Sequence, residues 1–218
     1  MLQALTKHKI PHDIRNQVWN LEDAKTSSII GSLLHLPTDL FWNIMREAAE
    51  HTDGFSHQLP IAGETGEIID VEFWPYWTLE DKVEPDVFVR FEKFDLIIEL
   101  KVHDYNQQTS WQWKREFAAY RKHFPNIEKP VFLIAISGKT DERMANVFQC
   151  SWQSVLEATL DVQYSYTSSE PYNNVCRIFD DILKAFSFHK EYRFKYLDSV
   201  NISNLSISFD YNQFPSLI

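Results

Sequence analysis

The sequence predicts an α/β fold, a mixed β-sheet flanked by helices. Three observations carry this reading. Short apolar runs rich in Val, Ile and Phe, at residues 87–91, 94–102 and 131–137, have the length and composition of strands. Two of these runs are separated only by Glu92-Lys93, so they read as a hairpin. Segments with apolar residues at helical spacing lie before, between and after the runs, which is the pattern of helices covering a sheet.

The elements follow in order. Residues 14–35 read as helical. Pro37-Thr38-Asp39 caps a helix over 40–50, with Leu40, Ile44, Met45 and Ala48 on one stripe. Residues 51–58 read as a loop. Residues 67–76 read as a strand with Ile69, Val71 and Phe73 on one face and Asp70, Glu72 and Trp74 on the other, and 77–84 as a charged connection. After the hairpin, 103–109 is polar and loop-like. Ser110 caps a helix over 111–123, and 131–137 is continuously apolar, hence a central strand that Ser137-Gly138 ends. Two helices follow, 140–160 and 171–196, the second carrying Val175, Ile178, Phe179, Ile182 and Phe186. The imperfect alternation of Ile202, Leu205, Ile207 and Phe209 suggests an edge strand within 200–211. This divides the chain into an N-terminal helical extension, 1–36, and a main domain, 37–218.

Composition bounds the class. The chain has 218 residues, 44% hydrophobic and 15% aromatic, enough for one well-filled core. Residues 1–15 are polar and mixed, without the apolar stretch of a signal peptide, and no run approaches a membrane span. Cys150 and Cys176 lie in segments read as helical and lack C-x-x-C spacing, so free buried thiols in a cytoplasmic protein are the expected reading, with one disulfide between them as the alternative. No H-E-x-x-H, phosphate-binding glycine loop, dinucleotide fingerprint or nucleophile elbow is present. Net charge is −10, and residues 39–99 alone carry 15 acids against 4 bases. The acid excess is therefore concentrated around the hairpin.

The hairpin itself carries the candidate chemistry. A two-residue loop pairs Phe91 with Phe94 and Arg90 with Asp95, and the same register sets Asp86 opposite Glu99. A four-residue loop at 91–94 keeps that register, whereas an odd loop or bulge shifts it by one. Ile97, Glu99 and Lys101 share one face, and Leu96, Ile98, Leu100 and Val102 share the other. Opposed Cβ atoms in such a pair lie roughly 4.5–5.5 Å apart, where like charges are unfavourable. A bound Mg²⁺ or Mn²⁺ removes the conflict, because hard cations take carboxylate oxygens.

Pro85-Asp86, followed after twelve residues by Glu99-Leu100-Lys101, resembles the PD-(D/E)xK nuclease superfamily, the restriction-endonuclease-like fold. The order of elements over 39–138 is similar as well. The resemblance covers about half of the chain. It implies a metal-dependent nuclease acting on DNA in preference to RNA, with Asp86, Glu99 and the backbone carbonyl of Leu100 holding Mg²⁺ or Mn²⁺. It implies a supporting charge from Lys101, which stays protonated beside two carboxylates unless desolvated. It also implies an acid from the first helix, where Glu47 and Glu50 are the choices; Glu72 on the preceding strand competes for the role. Gln112 heads a helix similar to one in exonuclease-like and defence-associated members, and Gln112, Glu116 and Tyr120 line one face. Those members carry a tyrosine four residues after the glutamine, where this chain has Glu116. Restriction-like defence and repair both fit. A C₂ dimer suits double-strand cleavage, but no residue pattern sets the oligomer.

Plainer readings stand beside these. Lys101 and Glu99 can form a salt bridge, and Glu47 can be a surface glutamate. His103 and Asp104 fit a satisfied loop better than a proton shuttle. Lys114, Arg115, Arg121, Lys122, Lys184, Lys190, Arg193 and Lys195 fit solvated helix faces as well as phosphate contacts. Trp74, Tyr76 and Trp77 fit core packing better than base stacking. The competing function is a catalytically silent nuclease fold used for DNA binding or protein interaction.

Overall fold

The computed structural model describes residue 18 and residues 21–51, 59–103, 108–138 and 140–192. The 1–15 segment, Asp104, Arg193, Lys195 and the edge strand expected within 200–211 lie outside the described residues. Helix α1 is built of three consecutive turns, Glu22–Lys25, Thr26–Ile30 and Gly31–Leu33, the middle one a π turn. Its buried residues, Lys25, Ile29 and Leu33 with Thr26 and Ile30, recur every four positions. On a regular helix of 3.6 residues per turn such a stripe drifts sideways, and the wider π turn holds it on one side.

Helix α2, Thr38–Ala48, buries Phe41, Trp42, Ile44, Met45 and Ala48. The expected cap does not form, because the Thr38 hydroxyl instead donates to Glu67 Oε2 at 2.8 Å. The strands are β1 (Glu50–His51), β2 (Ile68–Phe73), β3 (Trp77–Thr78), β4 (Lys82–Val83), β5 (Val87–Phe91), β6 (Asp95–Leu100), β7 (Val131–Ile136) and β8 (Val147–Cys150). Six of them form one mixed sheet in the order β1-β8-β7-β6-β5-β2. Pairings β2–β5–β6 are antiparallel and β6–β7–β8 parallel. Helix α3 (Ser110–His123) connects β6 to β7, and α4 (Trp152–Ser169) and α5 (Asn174–Phe188) follow β8.

The sheet divides two cores. Leu96, Ile98 and Leu100 pack with α1, α2, α4 and α5, while Ile97, Phe88, Leu133 and Ala135 pack with α3 and the small β3–β4 ribbon. Every residue of β6 and β7 is buried, as two-sided coverage of central strands requires. The described part of the N-terminal segment contributes Ile29, Ile30, Leu33 and Leu36 to the larger core. The expected hairpin register is present: Arg90 pairs with Asp95, Val89 with Leu96, Phe88 with Ile97 and Val87 with Ile98. Phe91 N–H donates to Phe94 O at 3.0 Å and closes the four-residue loop.

Several elements differ from expectation. The helix over 140–160 begins only at Trp152; Val147–Cys150 is a strand because pairing with β7 buries Val147, Phe148 and Cys150. Cys150 therefore lies on a strand, and both it and Cys176 are buried. A register shift between Ile68 and Asp70 turns Ile69 outward, 54% exposed, and makes Ile68, Val71 and Phe73 the inward set. The connection over 77–84 folds into the ribbon that buries Trp77 and Val83. Thr109, not Ser110, caps α3, accepting from Gln112 N–H. The last helix is shorter than 171–196, starting where the Asn173 side chain accepts from Val175 and Cys176 N–H. Among the described residues no helix is long and apolar enough to cross a membrane.

Candidate active site

The site lies where β5 begins and β6 ends. Asp86 immediately precedes β5, and the hairpin register carried one step further sets it opposite Glu99. Two hydrogen bonds fix it there. Its carbonyl accepts from Trp74 N–H at 3.0 Å, and its Oδ2 accepts from Leu100 N–H at 2.9 Å. The carboxylate thus takes the place of the next ladder carbonyl.

Lys101 follows the last residue of β6. Its Nζ donates to Glu99 Oε1 at 2.8 Å and to the Leu100 carbonyl at 3.0 Å, with Glu22 Oε1 at 3.4 Å. Glu22, in the first turn of α1, thus brings a further acid from a distant part of the chain. Gln112, in the first turn of α3, lies beside the carboxylates of both Glu99 and Glu116 and favours their charged forms. Glu116 is only 2% exposed, and its Oε2 has no hydrogen-bond partner among the described residues.

The electrostatics follow from this crowding. Burial and then the charge of Glu99 push the Asp86 carboxyl up to about 8, against the Leu100 N–H and Lys101. Burial likewise raises Glu99, opposed by Lys101, and raises Glu116 strongly, with Glu99 adding to it. Burial works against the Lys101 ammonium, but Glu99, Glu22 and Asp86 outweigh it and its pKa rises.

The backbone around Lys101 is held by buried polar side chains. Gln108 Nε2 donates to the carbonyls of Glu99 and Ser137, each at 3.2 Å, and its Oε1 accepts from Trp113 Nε1. Trp152 Nε1 donates to the Lys101 carbonyl at 2.8 Å. Lys25 Nζ donates to the Val102 carbonyl at 3.1 Å and to Glu191 Oε1 at 2.6 Å, and lies 4.5 Å from the Trp152 ring centre.

The expected site residues separate into two groups. Asp86, Glu99, Lys101, Gln112 and the Leu100 carbonyl come together. Glu47 and Glu72 are exposed and have no hydrogen bond or ion pair with that group. Glu22 and Gln108 were not among the expected site residues. Their links join residues 79 and 9 positions apart, and neither lies in a motif. Tyr120 shares a flank with Gln112 and Glu116 but donates to Asp95, four residues back along β6. His103 is half-buried. Of the basic residues, Arg115 pairs with Asp81, Lys122 donates to the Leu79 carbonyl and Lys184 pairs with Asp181. Trp77 is core, whereas Tyr76 is exposed and Trp74 half-buried.

Among the described residues no three His, Cys, Asp or Glu side chains form a preformed metal cage. The donors that do meet are all hard oxygens, and their carboxyl groups outnumber the single ammonium among them. That suits Mg²⁺, which keeps several waters and takes one or two carboxylates. A comparison with family models and with curated proteins finds no match to this chain.

Proposed function

We infer that this protein is a metal-dependent nuclease of the PD-(D/E)xK type with a restriction-endonuclease-like fold, hydrolysing phosphodiester bonds of DNA. One observation carries the reading: Asp86 and Glu99, both buried, are held across one hairpin register with the Lys101 ammonium bonded to Glu99. Asp86, Glu99 and the Leu100 carbonyl would hold Mg²⁺ or Mn²⁺. When bound, such an ion lowers the pKa of its water and stabilises charge on the phosphate.

The chain's own residues do the rest. Leu100 N–H fixes the Asp86 carboxylate, Lys101 bonds that of Glu99, and Gln112 beside Glu99 favours its charged form. Lys101 stays protonated, so it stabilises negative charge building on the phosphate oxygens rather than removing a proton from water. Glu22 holds the ammonium from its other side. The reading extends to a cytoplasmic protein serving defence or repair, and to a C₂ dimer where both strands are cut.

The test is cleavage of linear, circular and single-stranded DNA with Mg²⁺ or Mn²⁺, comparing the parent protein with Asp86→Ala and Lys101→Ala. The reading expects metal-dependent cleavage that Asp86→Ala abolishes and Lys101→Ala cuts about 100- to 1,000-fold; cleavage indifferent to both sinks it. One observation favours a silent binding module instead: Lys101 itself occupies Glu99 Oε1 and the Leu100 carbonyl, the oxygens a metal needs. Calorimetry with millimolar Mg²⁺ or Mn²⁺ separates the two, since a silent module takes up no heat of binding.

A further inference from the structure

Two neighbouring rows of α3 face different surroundings. Gln112 and Glu116 turn to Glu99, while Trp111 and Arg115 lie on the adjacent row. Trp111 is 65% exposed, and the Arg115 guanidinium lies 4.6 Å from its ring centre. The same guanidinium bonds the Asp81 carboxylate and, at 3.4 Å, the Lys82 carbonyl on the ribbon. The Lys82 ammonium in turn lies 5.4 Å from the ring of Tyr76, which is 64% exposed. Trp111, Arg115, Lys82 and Tyr76 therefore make one connected strip across α3 and the β3–β4 ribbon.

Both ends of the strip adjoin the site. Trp111 directly precedes Gln112. Tyr76 lies two residues after Trp74, whose N–H holds the Asp86 carbonyl. Trp74 also has φ 50, a left-handed conformation that is costly for a bulky side chain, and its buried indole Nε1 has no hydrogen-bond partner among the described residues. Core packing accounts for Trp77, which is buried against Phe88, Tyr120 and Phe124. It does not account for Trp111 or Tyr76, whose rings face water.

We propose that this strip is the landing surface for an unpaired nucleic-acid strand, whose bases stack on Trp111 and Tyr76 and whose phosphates meet Arg115 and Lys82. The proposal rests on the nuclease reading and names its substrate class. Stacking favours an unpaired strand because a duplex hides its base faces. Charge favours it too. A duplex carries one negative charge per about 1.7 Å of axis, and it would approach a region with 15 acids against 4 bases over residues 39–99. Asp81 and Glu84 already pair with Arg115 and Lys82, so stacking supplies more of the attraction than charge. Binding should therefore depend weakly on salt, with a log–log slope of about −1.4 for two phosphates on a single strand.

The experiment uses the full chain in EDTA, with a labelled 12-nucleotide single strand and the duplex of the same sequence. The single strand is expected to bind at least tenfold tighter. Trp111→Ala and Tyr76→Ala should each weaken its binding about 5- to 150-fold, the range for losing one base stack. Trp111→Phe should restore much of the loss, and Tyr164→Ala, at an exposed tyrosine on α4, should change nothing. Equal affinity for duplex and single strand overturns the proposal, as does binding indifferent to Trp111 and Tyr76, or no nucleic-acid binding at all. The two readings fail separately. Strip-dependent binding without metal-dependent cleavage removes the nuclease and leaves the surface, while cleavage indifferent to the strip does the reverse.

Discussion

The two ends of β6 each bury acid, and they treat it differently. At one end Asp95 is fully buried, with Lys129 Nζ at 2.7 Å, Arg90 Nε at 3.9 Å and the Tyr120 hydroxyl donating at 2.7 Å. One acid there has two cations and a donor. At the other end Asp86, Glu99 and Glu116 are buried and Glu22 is part-exposed, and the four share the Lys101 ammonium. Behind them the buried Lys25 pairs with Glu191. Burial of charge is thus common in this molecule. What sets the Asp86 end apart is that four carboxyl groups share one ammonium, and burial with crowding holds protons on the buried ones. A charge-compensated cluster fastens elements together, whereas a crowd of carboxyls on one ammonium weakens the fold until something positive arrives.

That contrast can be broken most directly through stability. Asp95→Ala should cost about 3 kcal/mol, the lower end for breaking a buried pair, since Lys129 and Arg90 are partly exposed. Asp86→Asn, in EDTA, should leave stability unchanged or raise it. Equal losses by denaturant unfolding would erase the distinction between the two ends.

Lys101→Ala should act in two opposed directions. Cleavage falls about 100- to 1,000-fold, the range for removing one stabilising donor. Affinity for Mn²⁺ rises, because Glu99 Oε1 and the Leu100 carbonyl lose the ammonium that occupies them. Weaker Mn²⁺ binding by calorimetry would remove Glu99 from the metal site.

The pH dependence sharpens the comparison further. The Asp86 carboxyl is raised from 3.8 to about 8, so between those values the folded chain holds a proton that the unfolded chain has lost. Stability in EDTA should therefore fall as pH rises across that window. Glu99 and Glu116, shifted the same way, steepen the fall. Bound Mg²⁺ takes the ionised carboxylates, so the stabilisation it brings should grow with pH over the same range. Melting curves at pH 5, 6.5 and 8, with Mg²⁺ and with EDTA, test both signs. The smallest effects belong to Glu47→Ala and Glu72→Ala, expected within about 0.5 kcal/mol as exposed substitutions and with cleavage unchanged.

The sequence makes local relations readable and distant ones opaque. The β5–β6 register follows from a short even loop and alternating faces, so Asp86, Glu99 and Lys101 can be set together from residues alone. The strand state of Val147–Cys150 comes from pairing with β7 across the fold, and its four residues resemble the start of the helix after them. Glu22 reaches Lys101 across 79 positions, and no spacing rule links them. Glu116 is visible as a neighbour of Gln112 on one helix flank. Its burial is not, because a glutamate in an amphipathic helix ordinarily faces water.

Lys25 and Glu191 stand 166 positions apart. A ribosome adds about 5–20 residues per second, so roughly 8–33 s pass between making the lysine and making its counter-charge. Throughout that interval Lys25 cannot be buried in its ion pair against the Val102 carbonyl. The geometry around Lys101 is therefore completed only after Glu191 has been made. A nascent chain stalled before Glu191 is expected to lack it, which keeps an unfinished chain from carrying a finished site.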